Sequence, residues 1–183
     1  MLFLSSRYVD VCRLISNVRP RGRHPSACES GAATVEFALV STLLFTIMFG
    51  IIQYGLYFND ALSTRQGVRE GVRQGVVRNF TAMPGCGSEP TDMDKLRCNT
   101  KVQIDALTGT EYVKVVRPAT WAKTQPLIVC AMVKSEGAVG LLPMPKGGWI
   151  ASKTEMSIEQ DATPLPTGTT TSDTLPAGVS YPC

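Results

Sequence analysis

The residue in this sequence that most needs a chemical explanation is Glu36, which stands directly before a long apolar run. From Phe37 to Phe58 the chain has 22 residues and no charged side chain. A carboxylate at the edge of such a run is costly to keep near a membrane unless another group uses it. It can pair with a cation of a neighbouring chain, or it can extend to the lipid headgroups, and the sequence leaves both roles open.

Other catalytic or ligand-binding chemistry finds little support in the residue types. The only histidine is His24, before the apolar run, so the sequence beyond that run cannot supply a Ser-His-Asp triad or a Cys-His pair. The cysteines lack the paired short spacings of a zinc site, and no glycine-rich phosphate loop follows a predicted strand. A net charge of +3 gives no strong nucleic-acid signal. We therefore expect no enzyme activity, no cofactor, no metal and no nucleic-acid partner.

The element that positions Glu36 is an α-helix long enough to cross a membrane. At about 1.5 Å per residue the uncharged run covers about 33 Å, and the apolar region of an ordinary signal peptide is shorter. A buried core helix is the alternative, but soluble cores rarely need so long a helix that is apolar on all sides. The sequence predicts a transmembrane helix over residues 32–58. Within about 20 residues of its two ends, four arginines precede the helix (Arg13, Arg19, Arg21 and Arg23) and four follow it (Arg65, Arg69, Arg73 and Arg78), so charge does not set its orientation.

The residues around Glu36 resemble the processing site of type IV prepilins. The string GAATVEF, residues 31–37, places the glutamate five residues after a glycine and leads into the apolar run. Because a phenylalanine follows the glutamate, the motif resembles that of the Tad (Flp-type) branch of that family. The piece ALSTRQGVREGVRQG is similar to the helix that follows the span in TadE-like proteins, and residues 110–160 are similar more loosely.

This resemblance implies a cut between Gly31 and Ala32, which leaves residues 1–31 as a leader. It also implies that Glu36, followed by Phe37 in the motif, helps to set the register of one subunit against the next. The cut would free an ammonium group on Ala32 near the membrane surface. A neighbouring subunit's Glu36 could pair with that ammonium and so favour one axial register.

The function that the resemblance implies is structural. A TadE-like protein is expected to be a minor pseudopilin that acts in the assembly or priming of a Tad pilus. Its expected partners are a prepilin peptidase, other Tad pilins and pseudopilins, an inner-membrane pilus platform and membrane lipid. Its expected place is the bacterial inner membrane, with a cytoplasmic N-terminus and an extracytoplasmic C-terminal domain. The alternative is a signal-anchored envelope binding module with no pilus role, and the N-terminus of the mature protein separates the two.

Residues 59–80 extend the span without a proline, which predicts one helix over residues 33–79. Gly67, Gly71 and Gly75 recur every four residues in this extension and therefore share a stripe of the helix. Glycine costs about 1 kcal/mol in a helix, so three in one stripe predict a close approach to another element. That element is the globular domain of the same chain or a neighbouring helix. A weak, partly frayed helix is the remaining alternative.

The chain after residue 80 predicts a small extracytoplasmic α+β domain over residues 81–162. A short helix is expected within residues 91–107, capped by a threonine or an aspartate. The segments TEYVKVVRP, PLIVCAMVK and WIASKTEMSIEQD have the patterns of strands, the second of them central. The fold class is therefore α+β, a long N-terminal helix followed by a small antiparallel β-sheet domain. Residues 163–183, rich in Thr, Pro and Gly, are expected to be an extended or disordered tail.

Four cysteines follow the span, namely Cys86, Cys98, Cys130 and Cys183. An even number in a small domain predicts two disulfides and an oxidising compartment. Three pairings are possible. The local choice is Cys86–Cys98, which leaves Cys130–Cys183 to tie down the C-terminus, and unpaired thiols remain the alternative.

Overall fold

The computed structural model describes residues 26–136, 142–159, 161 and 163–183, with side chains from residue 31 onward. The predicted leader therefore lies almost wholly outside the described residues. The chain divides into two compact units, Met1–Met48 and Phe49–Cys183. Within the described residues the first unit is the N-terminal portion of one helix. The second unit contains the rest of that helix and a small α+β domain.

Helix α1 (Ser26–Val76) is 51 residues long. It confirms the uninterrupted helix expected from the sequence, although it begins earlier and ends three residues sooner. The helix ends because Arg78 adopts a left-handed conformation, with φ of 61°. The amide of Arg78 donates to the carbonyl of Gly75 at 3.1 Å, and the amide of Asn79 donates to the carbonyl of Gln74 at 2.9 Å. This pair of bonds closes the helix as a Schellman motif.

Helix α2 (Asp92–Ile104) confirms the short helix expected after the first loop. Thr91 caps its N-terminus. The threonine hydroxyl accepts a hydrogen bond from the amide of Asp94 at 3.2 Å and donates to the carboxylate of the same residue at 2.6 Å. The first of these bonds satisfies one of the amides that the first helical turn leaves open, and the second fixes the position of the Thr91 hydroxyl. The helix ends at Asp105, which has a left-handed φ of 41°.

Among the described residues four strands form one antiparallel sheet in the order β3-β2-β1-β4. Strand β2 (Pro126–Ser135) pairs on both sides, as its continuous apolar run predicted. The other strands are β1 (Gly109–Val116), β3 (Trp149–Ser157) and the two-residue β4 (Thr171–Ser172). The fold is therefore α+β, a long N-terminal helix and a small antiparallel sheet, as predicted.

A single hydrophobic core joins α1, α2 and the sheet. From α1 it takes Val68, Val72 and Val76, which recur every four residues on one face of the helix. The larger remaining set comes from α2 and the strands, with members such as Leu96 and Val129. Each fully buried aliphatic side chain contributes on the order of 1.5–3 kcal/mol relative to exposure. The core therefore makes the C-terminal portion of α1 an integral element of the domain.

The C-terminal tail is more ordered than its composition predicted. Residues 171 and 172 pair with β1 as strand β4. The carboxylate of Asp92 accepts hydrogen bonds from the amide and the hydroxyl of Thr167, at 2.8 and 2.9 Å. The carboxylate of Asp173 accepts one from the amide of Val113 at 2.9 Å. The tail is extended, which was one of the two expectations. It is not disordered, because hydrogen bonds fix it to the domain although it buries little apolar surface.

Candidate functional site in a helix with two environments

Residues 31–49 of α1 direct large apolar side chains outward. Phe37 is 73% exposed, and most of the large apolar side chains around it are more than half exposed. The hydroxyls of Ser41, Thr42 and Thr46 donate to carbonyls three or four residues earlier, so they are satisfied inside the helix. Among the described helices, α1 is the one that is long enough and apolar enough to cross a membrane. An apolar surface of this extent requires lipid or other helices to cover it.

The predicted processing motif lies in this exposed segment. Ala32, Glu36 and Phe37 are exposed, Gly31 is half-buried, and the helix runs through the Gly31–Ala32 bond. A Cβ added at Gly31 would meet no described atom within 4 Å. Packing in the described chain therefore gives no reason for the glycine, although glycine costs about 1 kcal/mol in a helix. Ala32 and Glu36 are four residues apart and share one face of the helix.

The stripe of glycines at Gly67, Gly71 and Gly75 faces the chain's own domain. A Cβ at Gly67 would lie 2.6 Å from the side chain of Ile104 in α2 and 2.8 Å from its backbone nitrogen. At Gly71 an added Cβ would overlap the hydroxyl of Thr100, and at Gly75 it would overlap two core leucines. Of the partners that the sequence left open, the domain of the same chain is the one that the described residues place against this stripe.

The buried stripe continues toward the N-terminus through polar residues that the sequence analysis did not single out. Gln53, Asp60 and Thr64 are fully buried. The carboxylate of Asp60 accepts hydrogen bonds from the amide of Leu107 at 2.9 Å and from the hydroxyl of Thr108 at 2.6 Å. Steps of seven and four residues keep the three polar positions on one helical face. That spacing of isolated polar side chains was the signal available in the sequence.

Gln53 binds the segment that precedes β3. Its amide nitrogen donates to the carbonyl of Leu142 at 2.7 Å, and its amide oxygen accepts from the amide of the same residue at 3.3 Å. The hydroxyl of Tyr54 donates to the carbonyl of Pro143 at 3.1 Å. A Cβ at Gly50 would lie 3.0 Å from the Leu142 side chain. The contacts of α1 with its own domain therefore begin inside the predicted membrane span.

Two disulfides close the domain, and they are the pair that the local choice predicted. Cys86 is bonded to Cys98, and Cys130 is bonded to Cys183. The first joins the loop after α1 to α2. The second joins strand β2 to the C-terminal residue across a separation of 53 residues. The tail is thereby fixed covalently to an interior strand.

Two titratable groups beside the tail have shifted pKa values. Burial, followed by the nearby charge of Asp173, raises the pKa of Tyr181 to about 12. Its hydroxyl donates to the carbonyl of Asp173 at 2.9 Å. Hydrogen bonds from the hydroxyls of Thr91 and Thr171 lower the pKa of Asp94. These groups connect the tail to α2 and β1.

Comparison with known proteins gives a family for the helix. A family model described as TadE-like protein matches residues 31–73. The matched segment lies entirely within α1, and the looser resemblance over residues 110–160 falls outside it. Neither curated proteins nor solved structures give a match. The family match implies a role associated with the Tad pilus. Residues 31–73 are therefore similar to TadE-like proteins, which confirms over this segment the resemblance drawn from the sequence.

Proposed function

We propose that the protein is a minor pseudopilin of a Tad pilus, processed by a prepilin peptidase and acting in assembly or priming of the filament. The observation that carries this proposal is the exposed, uncharged surface of α1 over residues 37–49, directly preceded by Glu36. A monomer in water would not keep such a surface. In a membrane span, lipid would cover this apolar surface before assembly, and the spans of other subunits would cover it in the filament.

The glycine at the proposed cut supports recognition by a peptidase. Gly67, Gly71 and Gly75 have packing reasons, because an added Cβ would collide with the domain at each of them. Gly31 has no such reason within the described residues. Gly55 has none either, so what distinguishes Gly31 is its place five residues before Glu36, where a peptidase that needs a small residue before the scissile bond would account for a glycine.

The carboxylate of Glu36 supports a role in subunit register. Cleavage after Gly31 would leave Ala32 as the first residue and Glu36 in the first turns of the shortened helix. A carboxylate near a helix N-terminus is favoured by the helix dipole. In a bundle of spans, one subunit's Glu36 can pair with the Ala32 ammonium of the next, which removes two uncompensated charges from a medium of low dielectric constant.

The disulfides support the proposed orientation. Structural disulfides form in oxidising compartments, so a domain that carries Cys86–Cys98 and Cys130–Cys183 belongs outside the cytoplasm. The N-terminus then lies on the cytoplasmic side of the inner membrane.

Mass analysis of the mature N-terminus tests the proposal. The parent chain is expected to begin at Ala32 when it is co-expressed with a prepilin peptidase, and Gly31→Arg is expected to keep its leader. Ser30→Arg is the matched control, because it adds the same charge one residue away and should still be cut. An intact leader in the parent, or a cut at another bond, would contradict the pseudopilin function and favour the signal-anchored binding module.

A further inference from the structure

We propose that residues 142–146, the loop before β3, insert into the outer interface of the membrane that α1 crosses. The partner of this loop is a lipid surface. The proposal rests on the membrane span of the proposed function and on neither cleavage nor pilus assembly. It concerns a region of the chain outside the segment matched by the family model.

The first argument is the depth of the residues that hold the loop. Gly50, Gln53 and Tyr54 lie inside the uncharged run that ends at Phe58. About 20 helical residues cross the hydrocarbon core, so a span that begins after Glu36 still has these residues near its far edge. Because Leu142 contacts Gly50 and Gln53, the loop lies at the level of that edge.

The second argument is the way in which the loop's backbone is satisfied. A backbone amide or carbonyl without a hydrogen-bond partner costs several kcal/mol in hydrocarbon, on the order of the cost of burying an unpaired polar group in a protein interior. The side chain of Gln53 bonds both the amide and the carbonyl of Leu142, and Tyr54 bonds the carbonyl of Pro143. Pro143 and Pro145 have no amide hydrogen to satisfy. In a loop exposed only to water, these hydrogen bonds and prolines would contribute little free energy, because water would satisfy the same backbone groups.

The third argument is the composition of the surface around the loop. Pro143 and Pro145 are exposed. Beside them Lys146 is exposed, and the ammonium of Lys134 lies 5.4 Å from the centre of the Trp149 ring. Apolar side chains bordered by tryptophan, tyrosine and lysine are typical of the boundary between lipid tails and headgroups. The ammonium of Lys134 also donates to the carbonyl of Gly147. The apolar residues would enter the boundary, and the exposed Lys146 would meet the phosphates.

Quenching of tryptophan emission by brominated lipid tests this insertion. The full-length chain is reconstituted in phosphatidylcholine–phosphatidylglycerol vesicles with and without bromine on the acyl chains. Pro143→Trp and Pro145→Trp place the probe on the loop, and emission from Trp121 and Trp149 is subtracted with the parent chain. Leu44→Trp is the control within the span. Val77→Trp is the exposed control at the far end of α1, about 35 Å from Tyr54 along the helix.

The proposal expects brominated lipid to remove emission from both loop probes nearly as strongly as from Leu44→Trp, with little loss from Val77→Trp. Adding Gln53→Leu to the Pro143→Trp chain should lower the quenching toward the Val77→Trp level, because the loop backbone loses its partner. If Leu44→Trp is quenched and both loop probes behave like Val77→Trp, the loop does not enter lipid and the proposal is wrong. If Leu44→Trp is itself unquenched, the membrane span fails and this proposal fails with it.

Discussion

The two segments of α1, residues 31–49 and residues 50–76, differ in where their partners lie. In the N-terminal segment the large apolar side chains are exposed, and the hydroxyls bond within the helix. In the C-terminal segment a continuous stripe is buried against the chain's own domain, from Gly50 through Asp60 to Val76. The C-terminal segment is therefore covered by residues that the chain supplies itself, whereas the described residues leave most of the large apolar side chains of the N-terminal segment exposed.

The comparison shows that helix length and composition do not mark the limit of the domain. The uncharged run ends at Phe58, but within it Gly50 already contacts Leu142 of the domain. Substitutions in the two segments should accordingly affect different measurements. Changes in the C-terminal segment should alter the free energy of unfolding of the domain. Changes in the N-terminal segment should alter association with other subunits and leave the domain intact.

The largest stability difference is expected between two identical substitutions in α1. Gly67→Ala should destabilise the domain by about 1–3 kcal/mol, because the new Cβ meets the backbone of Ile104, which cannot easily move. Gly55→Ala should stabilise α1 by up to about 1 kcal/mol, because an added Cβ there meets no described atom within 4 Å and alanine favours helix. Denaturant unfolding in micelles, followed by the emission of buried Trp121, measures both. Equal effects would show that the glycine stripe does not pack as described.

A smaller effect is expected at the buried carboxylate. Asp60→Ala removes the acceptor of the Leu107 amide and of the Thr108 hydroxyl, so it should cost about 1–3 kcal/mol. Asn59→Ala, at the exposed neighbouring position, should change the free energy of unfolding by less than about 0.5 kcal/mol. The same denaturation experiment compares them. A loss at Asn59 as large as that at Asp60 would contradict the assignment of the buried face.

The smallest effect is expected from the tail at high pH. The pKa of Tyr181 is raised from 10.0 to about 12, so its contribution to stability is present below pH 10.0 and is lost as the pH rises toward 12. The parent domain should therefore lose more stability across this window than Tyr181→Phe, which cannot ionise. Unfolding free energies at the two ends of the window give the difference. An equal loss in both chains would show that Tyr181 does not couple folding to pH.

The sequence predicted the elements better than their partners. The four-residue recurrence of Gly67, Gly71 and Gly75 predicted close packing, because glycine has little other use inside a helix. It could not name Ile104 or Thr100 as partners, because these come from an element whose placement depends on the tertiary fold. The cysteine count favoured the observed disulfides through the short first loop.

The buried polar face was missed, and the order of the tail was predicted only through its terminal cysteine, for two different physical reasons. Gln53 is a single amide in a run that is otherwise mostly apolar, so the composition of the run gives no sign of it. Its hydrogen-bond partner, Leu142, lies in a loop 89 residues away in the sequence. The tail has few apolar residues, so its composition predicts little burial. Its order comes instead from specific acceptors such as Asp92 and Asp173, which composition does not register.

The central claim is that the exposed N-terminal segment of α1 functions through contacts with other subunits, and Glu36→Ala tests it most directly. Crosslinking of the chain to other pilus subunits and cleavage of its leader are measured in the same membranes. The expected result is normal insertion and cleavage with loss of crosslinking, because the unpaired Ala32 ammonium of a neighbour costs about 3–5 kcal/mol. Glu70→Ala is the matched control, since its carboxylate contacts Arg73 and Gln74 of the same helix, and it should crosslink as the parent does. Glu36→Ala chains that crosslink as well as the parent would contradict the claim.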